Sequence, residues 1–261
     1  MPVRIIFIII IVAFAQITHG QKQLSITPAV GLTIPFCYNI KPSVNDNGYK
    51  VNTFELYPSF NINLQYNSNN RWIFFAGWQA GDNTSVSIKY GDPQKDLTKG
   101  RFSLGAFTNR FPLGVGRYVT TCKWFKSERR IKLLKNLNND VPNDNILYLI
   151  LFRLNAVAGI SLNRKVESSN ENSLESFSYG TYEYNVVNRN NASAFIGLNL
   201  QFFNYHKDQI QIAIIYSQGL NEVIEADFNY TLKNESHSAK VGSRGSNLTF
   251  HLGYPIRLIN F

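Results

Sequence analysis

The chain has 261 residues, a formal net charge of +9, 44 % hydrophobic residues and only 16 % charged ones. That length suits one domain, and two cysteines exclude a disulfide-built scaffold. The cations are scattered apart from Lys123, Lys126, Arg129, Arg130, Lys132 and Lys135; in an exported chain this points away from nucleic acid and toward an anionic membrane surface.

Residues 1–20 read as a secretory signal: Arg4, an apolar stretch from Ile5 to Ala15, then Thr18-His19-Gly20, with cleavage expected before Gln21. No later apolar run is long enough for a transmembrane helix. Residues 21–261 form one domain with a two-residue beat. The first predicted strand is Leu24–Tyr38, followed by a turn over Asn39–Tyr49. The second is Lys50–Tyr66, with Phe54, Leu56, Pro58, Phe60, Ile62 and Leu64 on one line and Glu55, Asn61, Asn63 and Gln65 on the other. The third starts at Arg71, with Trp72, Phe74, Ala76 and Trp78 on one face, and runs past a bulge near Gly81 to Tyr90. The fourth, Arg101–Tyr118, changes phase from Phe102 and Leu104 to Phe111, Leu113 and Val115, which predicts a second bulge. Cys122–Asn145 reads as a short amphipathic helix or as a solvated basic turn. The fifth strand is Ile146–Asn163, followed by a long polar loop, Arg164–Asn191. The sixth is Ala192–Tyr205. The seventh is Gln209–Leu220, or on to Tyr230, followed by a loop over Thr231–Arg244. The eighth is Gly245–Leu258.

Successive strand side chains point to opposite faces, so each segment is a ribbon with one apolar and one polar side. Long strands of this kind, without helices, predict an all-β fold: an eight-stranded antiparallel transmembrane β-barrel in the outer membrane. The expected lipid-facing residues are Phe54, Phe60, Trp72, Trp78, Ile212, Tyr216, Phe250 and Tyr254. The expected lumen-facing polar residues are Glu55, Asn61, Asn63, Arg71, Arg153, Asn155, His251 and Arg257, with Glu55 beside an arginine because a buried charge needs a partner. Connections alternate in length, which places the long ones outside and both termini on the periplasmic side.

Two motifs carry a resemblance. Tyr216-Ser217-Gln218-Gly219-Leu220 and Leu252-Gly253-Tyr254-Pro255-Ile256-Arg257-Leu258 resemble the outer-membrane β-barrel proteins of the Bacteroidota, the group with PorT-like and OmpX-like members. Phe261 resembles the terminal aromatic signal read by barrel-assembly machinery. The resemblance implies a barrel fold and an outer-membrane location, and leaves function to be argued from this chain's own sites.

An eight-strand barrel is filled by its own side chains. No cofactor, metal or catalytic residue is therefore expected, and the work falls to the outer loops as a surface for binding, adhesion or secretion. The expected partners are outer-membrane lipid, the assembly machinery and a protein of unknown identity at the loops. The alternative is a small-solute pore, or a lipid-modifying enzyme with His251 as base; no G-x-S-x-G and no metal-ligand spacing accompanies that histidine. Cys37 and Cys122 are expected at opposite ends of the barrel and unpaired. The five N-x-Ser/Thr sequons are what so Asn-rich a chain yields by chance.

Overall fold

The computed structural model describes residues 23–41, 49–51, 54–68, 71–90, 100–125, 148–166, 174–177, 180–204, 207–232 and 234–260. The expected signal segment 1–20, residues 126–145 of the basic link and Phe261 lie outside them.

The expectation of an eight-stranded antiparallel barrel as the whole fold is corrected. The described residues form fifteen strands in two sheets, one of ten strands and one of five. In the larger sheet, β1 (Gln23–Pro35), β4 (Tyr57–Asn67), β5 (Trp72–Tyr90), β6 (Gly100–Phe125), β7 (Tyr148–Lys165), β10 (Asn190–Asn204), β11 (Lys207–Gly219) and β14 (Asn247–Gly253) pair in that order. β14 also pairs with β1, from Ala29↔Gly253 to Pro35↔Asn247, so the ladders run in a ring. The eighth predicted strand is broken at Tyr254-Pro255; its remainder, β15 (Ile256–Asn260), continues along β1. Pro255 has no N–H to give a ladder, which accounts for the break.

The second sheet comes mostly from segments that the sequence assigns to connections, apart from β12 (Ile224–Leu232), which covers the optional extension of the seventh predicted strand to Tyr230. The order of the sheet is β2 (Tyr38–Lys41), β13 (Glu235–Ser243), β12, β9 (Gly180–Val186), β8 (Leu174–Phe177). The Asn39–Tyr49 turn thus contains most of β2 and the start of β3 (Tyr49–Val51), which pairs with β5. The Arg164–Asn191 loop holds the β8–β9 hairpin, and the Thr231–Arg244 loop is the far side of the β12–β13 hairpin. The seventh predicted strand is two strands, β11 and β12, that belong to different sheets. Cys122–Phe125 is the end of β6 and not a helix.

This sheet caps the ring. Its inner face packs on the upper halves of β5 and β6 around a dry core in which Val86, Ile88, Ile224, Ala226, Phe228 and Val241 are fully buried. Phe102 is the centre of an aromatic cluster, with its ring 4.8 Å from Tyr182 and 5.4 Å from Phe228 in an edge-on arrangement. Cys37 lies in the same core, its thiol donating to the Ser87 carbonyl, and burial pushes its pKa up to about 11.

The cap explains the apparent phase change in the fourth predicted strand, and the second bulge proposed there is corrected. From Arg101 to Val115 β6 keeps one phase: Arg101, Ser103, Gly105, Phe107, Phe111 and Leu113 are exposed, while Ala106, Thr108 and Arg110 are buried. What changes is the medium on the inner side. Phe102 and Leu104 turn inward into the apolar cap, whereas Phe111 and Leu113 turn outward beside a polar ring interior. The bulge near Gly81 is present, as a register shift between Gly81 and Thr84 of β5.

The cap should be alkali-labile. Tyr38 donates to Glu222 at 2.5 Å and Tyr182 donates to Glu175. Burial and these carboxylates push both phenols up to about 12. A folded pKa above the unfolded one contributes stability that is whole below the unfolded value, about 10. That contribution is lost as pH rises through the folded value. Cap protection in hydrogen exchange should therefore fall between about pH 10 and 12, and the fall should shrink in a Tyr38→Phe/Tyr182→Phe variant.

Candidate functional site

The junction of ring and cap is closed from within by Arg110. It sits on the inner line of β6, 3 % exposed. Its Nε donates to Asn163 Oδ1 at 3.1 Å and its Nη1 to Asn247 Oδ1 at 3.1 Å. Its Nη2 reaches Ser193 Oγ at 3.3 Å and the Gly245 carbonyl at 3.2 Å. One guanidinium thus ties β6 to β7, β10 and the approach to β14. Gly245 has φ +73°, a left-handed conformation that glycine adopts without cost. The acceptors are braced in turn: Ser161 donates to Asn163 Oδ1, Thr249 to Asn247 Oδ1, and Asn247 Nδ2 to the Gly245 carbonyl. None of the described residues gives Arg110 a carboxylate, so neutral dipoles alone hold this buried charge.

Below Arg110 a cavity of about 30 Å³ is lined by Asn61, Asn63, Phe75, Asn199, Gln211 and His251, among others. That is room for roughly two waters, not for a solute. His251 is 4 % exposed. Its Nε2 lies 3.3 Å from Ser59 Oγ and its Nδ1 3.4 Å from Asn61 Nδ2. Registers explain the meeting: His251 faces Gly31 on β1, and Gly31 faces Ser59 on β4. A Cβ on Gly31 would stand 2.3 Å from the imidazole, so only glycine lets the ring lie across β1 toward the serine. Both ring nitrogens thus meet neutral polar side chains, as an interior hydrogen-bonded filler would. Among the described residues no group of three His, Cys, Asp or Glu is placed to hold a metal.

Of the expected lumenal residues, Asn61, Asn155 and His251 are buried inside the ring, and Asn63 lines the cavity. Arg153 is half-buried, its guanidinium 4.4 Å over the Tyr118 ring, and Arg257 is also half-buried. Arg71 lies elsewhere: it is exposed in the turn before β5, at φ +65°. Glu55 lies just before β4, outside the ring interior, and pairs with Arg101 at 2.7 Å. Sequence reasoning missed Arg110, because the supposed bulge left the facing of that strand undecided, and missed Ser59. The signal for Ser59 was Gly31, a gap on the small-residue face of the first strand.

Of the expected lipid-facing set, Phe60, Trp72, Trp78, Ile212, Tyr216, Phe250 and Tyr254 are exposed large hydrophobics on ring strands or their ends. Phe54 is 67 % exposed but precedes β4. The ring is inside-out: Ser25, Thr27, Asn61, Gln65, Asn155 and Thr249 are buried, while Val30, Ile62, Ile160, Ile196, Leu198 and Leu252 face outward. In water that polarity would be unstable; against hydrocarbon it is what strands paired on both sides require. The arrangement is that of strands with hydrocarbon on one side and a polar interior on the other.

No protein-family model and no curated protein matches this sequence. Among solved structures it is similar to the outer membrane protein OprG from Pseudomonas aeruginosa, at 12 % identity over 92 % of this chain and 97 % of that one, TM-score 0.45. Outer membrane protein AlkL matches at 11 % identity over 92 % and 94 %, TM-score 0.37. The β domain of the Bordetella autotransporter BrkA matches at 12 % over 90 % and 98 %, TM-score 0.27. Likenesses this distant transfer no residue role and no ligand.

Facing can be tested by two neighbouring substitutions. Phe60 is 56 % exposed and Asn61 5 % exposed. Phe60→Arg should cost about 2–4 kcal/mol of folding into lipid, the penalty for a cation at mid-bilayer. Asn61→Arg should cost less unless it overfills the interior. Denaturant titration in vesicles measures both, and a reversed order would mean that the parity is wrong.

Proposed function

We propose that this chain is a non-enzymatic outer-membrane protein whose work is done by the cap, as a surface component for binding, adhesion or secretion. The observation that carries the reading is the cap's own dry core, built by Phe228, Ile224, Val241 and their neighbours from segments that need only join ring strands. A connection does not require a core; a rigid recognition surface does. The outer face of the second sheet presents Glu183, Asp227 and Lys240 abreast on three strands, with Lys240 Nζ 3.8 Å from Asp227 and 2.7 Å from Glu225. The finer kinship with PorT-like and OmpX-like proteins belongs to this reading. It is supported by the Tyr216–Leu220 stretch that closes β11 and by Leu252–Leu258 across the β14–β15 break. Export by residues 1–20, with the mature chain starting at Gln21, and recognition by barrel-assembly machinery belong to it as well.

The Ser59–His251 contact favours a second reading, a lipid-modifying enzyme. Both side chains are buried within the ring, away from the lipid face. The two readings separate cleanly. Replacing 167–189 with a short linker should abolish whatever phenotype deletion of the whole protein gives, while the ring still assembles. His251→Ala should leave that phenotype and the membrane's lipid composition unchanged. A lipid-modification defect from His251→Ala alone would overturn the cap reading.

A further inference from the structure

On the outer face of the β3–β5–β6 sheet, three cations stand side by side. Lys50 pairs in register with Lys89, and Lys89 with Arg101. Directly opposed residues on neighbouring strands share a face with their Cβ atoms about 4.5–5.5 Å apart, and like charges there repel. All three residues are exposed, while Tyr49, Ile88 and Tyr90 between them turn into the cap core. The lysines therefore have no inward alternative. One carboxylate answers the row: Glu55 takes Arg101 at 2.7 Å and is further engaged by Ser87 and Tyr57. Lys50 and Lys89 make no ion pair among the described residues, and among these residues the row holds two positive charges without a paired carboxylate.

The height of the row identifies what it meets. Arg101 Nη2 donates to the Phe54 carbonyl at 2.8 Å. Phe54 and Leu56, 67 % and 51 % exposed, continue the outward apolar line of Phe60, Ile62 and Leu64 on β4. Ten residue steps of about 3.3 Å, tilted by about 40°, rise roughly 25 Å, the height of an outer-membrane apolar band. The cations stand at the upper end of that line, where hydrocarbon gives way to headgroups. The geometry points to a docking site for the phosphate-bearing headgroup of an anionic outer-leaflet lipid on Lys50, Lys89 and Arg101, with its acyl chains along Phe54 and Leu56. This names a lipid partner for the outer-membrane reading above and rests on it. Free phosphate would meet the same cations but gain nothing from the apolar shelf.

The test uses the full chain folded in a neutral detergent and titrated with short-chain phosphatidylglycerol, with the first bound lipid followed by native mass spectrometry. Phosphatidylcholine is the neutral comparison. The wild type should bind phosphatidylglycerol more tightly, and Lys50→Gln/Lys89→Gln should weaken it by about five-fold per lysine. Lys50→Arg/Lys89→Arg should keep the affinity. The boiled-against-unboiled gel shift reports that each variant is folded; if the double Gln variant fails it, the single variants carry the measurement. Unchanged affinity in the folded Gln variants overturns the proposal. Displacement of the lipid by equimolar inorganic phosphate overturns the lipid assignment in favour of a soluble anion. A wild type without preference for phosphatidylglycerol sinks this site and leaves the cap reading standing. A wild type without a gel shift would remove the outer-membrane reading beneath both.

Discussion

Phe228→Ala should unfold the cap and leave the ring assembled. Phe228 is fully buried, and its ring packs against Phe102 at 5.4 Å and Tyr182 at 6.4 Å. Truncating a buried phenylalanine to alanine costs about 3–5 kcal/mol, because the cavity adds to the lost transfer energy. A five-stranded sheet with one small core has little stability to spare. The ring draws on a separate source, its continuous ladders and lipid-facing side chains, and Phe228 meets a ring strand through Phe102 at the upper end of β6. Limited proteolysis should cut the variant within 174–243 while the wild type resists, and the gel shift of the folded ring should persist. Joint loss of both signals would show that cap and ring are one cooperative unit. Loss of partner binding with the ring intact would tie the activity to the cap surface.

Much of the ring was legible because a period of two is a strong signal when one face meets lipid. Phe60–Asn61, Ile212–Gln211 and Phe250–His251 each alternate exposed and buried in the structure. The cap was not legible, for a physical reason. Its strands also alternate, but Ala226, Phe228 and Tyr230 face a protein core, so their segment read as an extension of the seventh strand, while the Ser- and Asn-rich segments around β8, β9 and β13 had the composition of loops. Local pattern cannot tell whether an apolar line meets lipid or another sheet. The same ambiguity produced the supposed phase slip in β6, where one unbroken strand passes from an apolar interior to a polar one. Arg110 stood at that passage, and its facing could be read only once the strand was known to be continuous. The pairing of Glu55 with Arg101 followed from the cost of a lone buried charge, although its place outside the ring did not.

Arg110→Ala should weaken the whole ring, and Arg110→Lys should not rescue it. The guanidinium makes four hydrogen bonds to neutral acceptors on three neighbouring parts of the ring. Each bond from a charged donor is worth about 1.5–3 kcal/mol before the cost of burying the charge. That burial costs several kcal/mol, so most of the gain is cancelled. The acceptors also keep their own donors, Ser161, Thr249 and Asn247. The balance leaves a net loss of about 2–4 kcal/mol for the alanine variant. Lysine retains the charge and the burial cost, but its three donors radiate from one atom and cannot span acceptors that a planar fork reaches together. It should therefore be no better than alanine. Urea titration in vesicles measures the loss. Planar bilayers measure the second consequence: the wild type should show no steady conductance of porin size, and the alanine variant should leak small ions through the space the side chain leaves. A lysine variant as stable and as tight as the wild type would mean that charge alone, without the forked geometry, closes the junction.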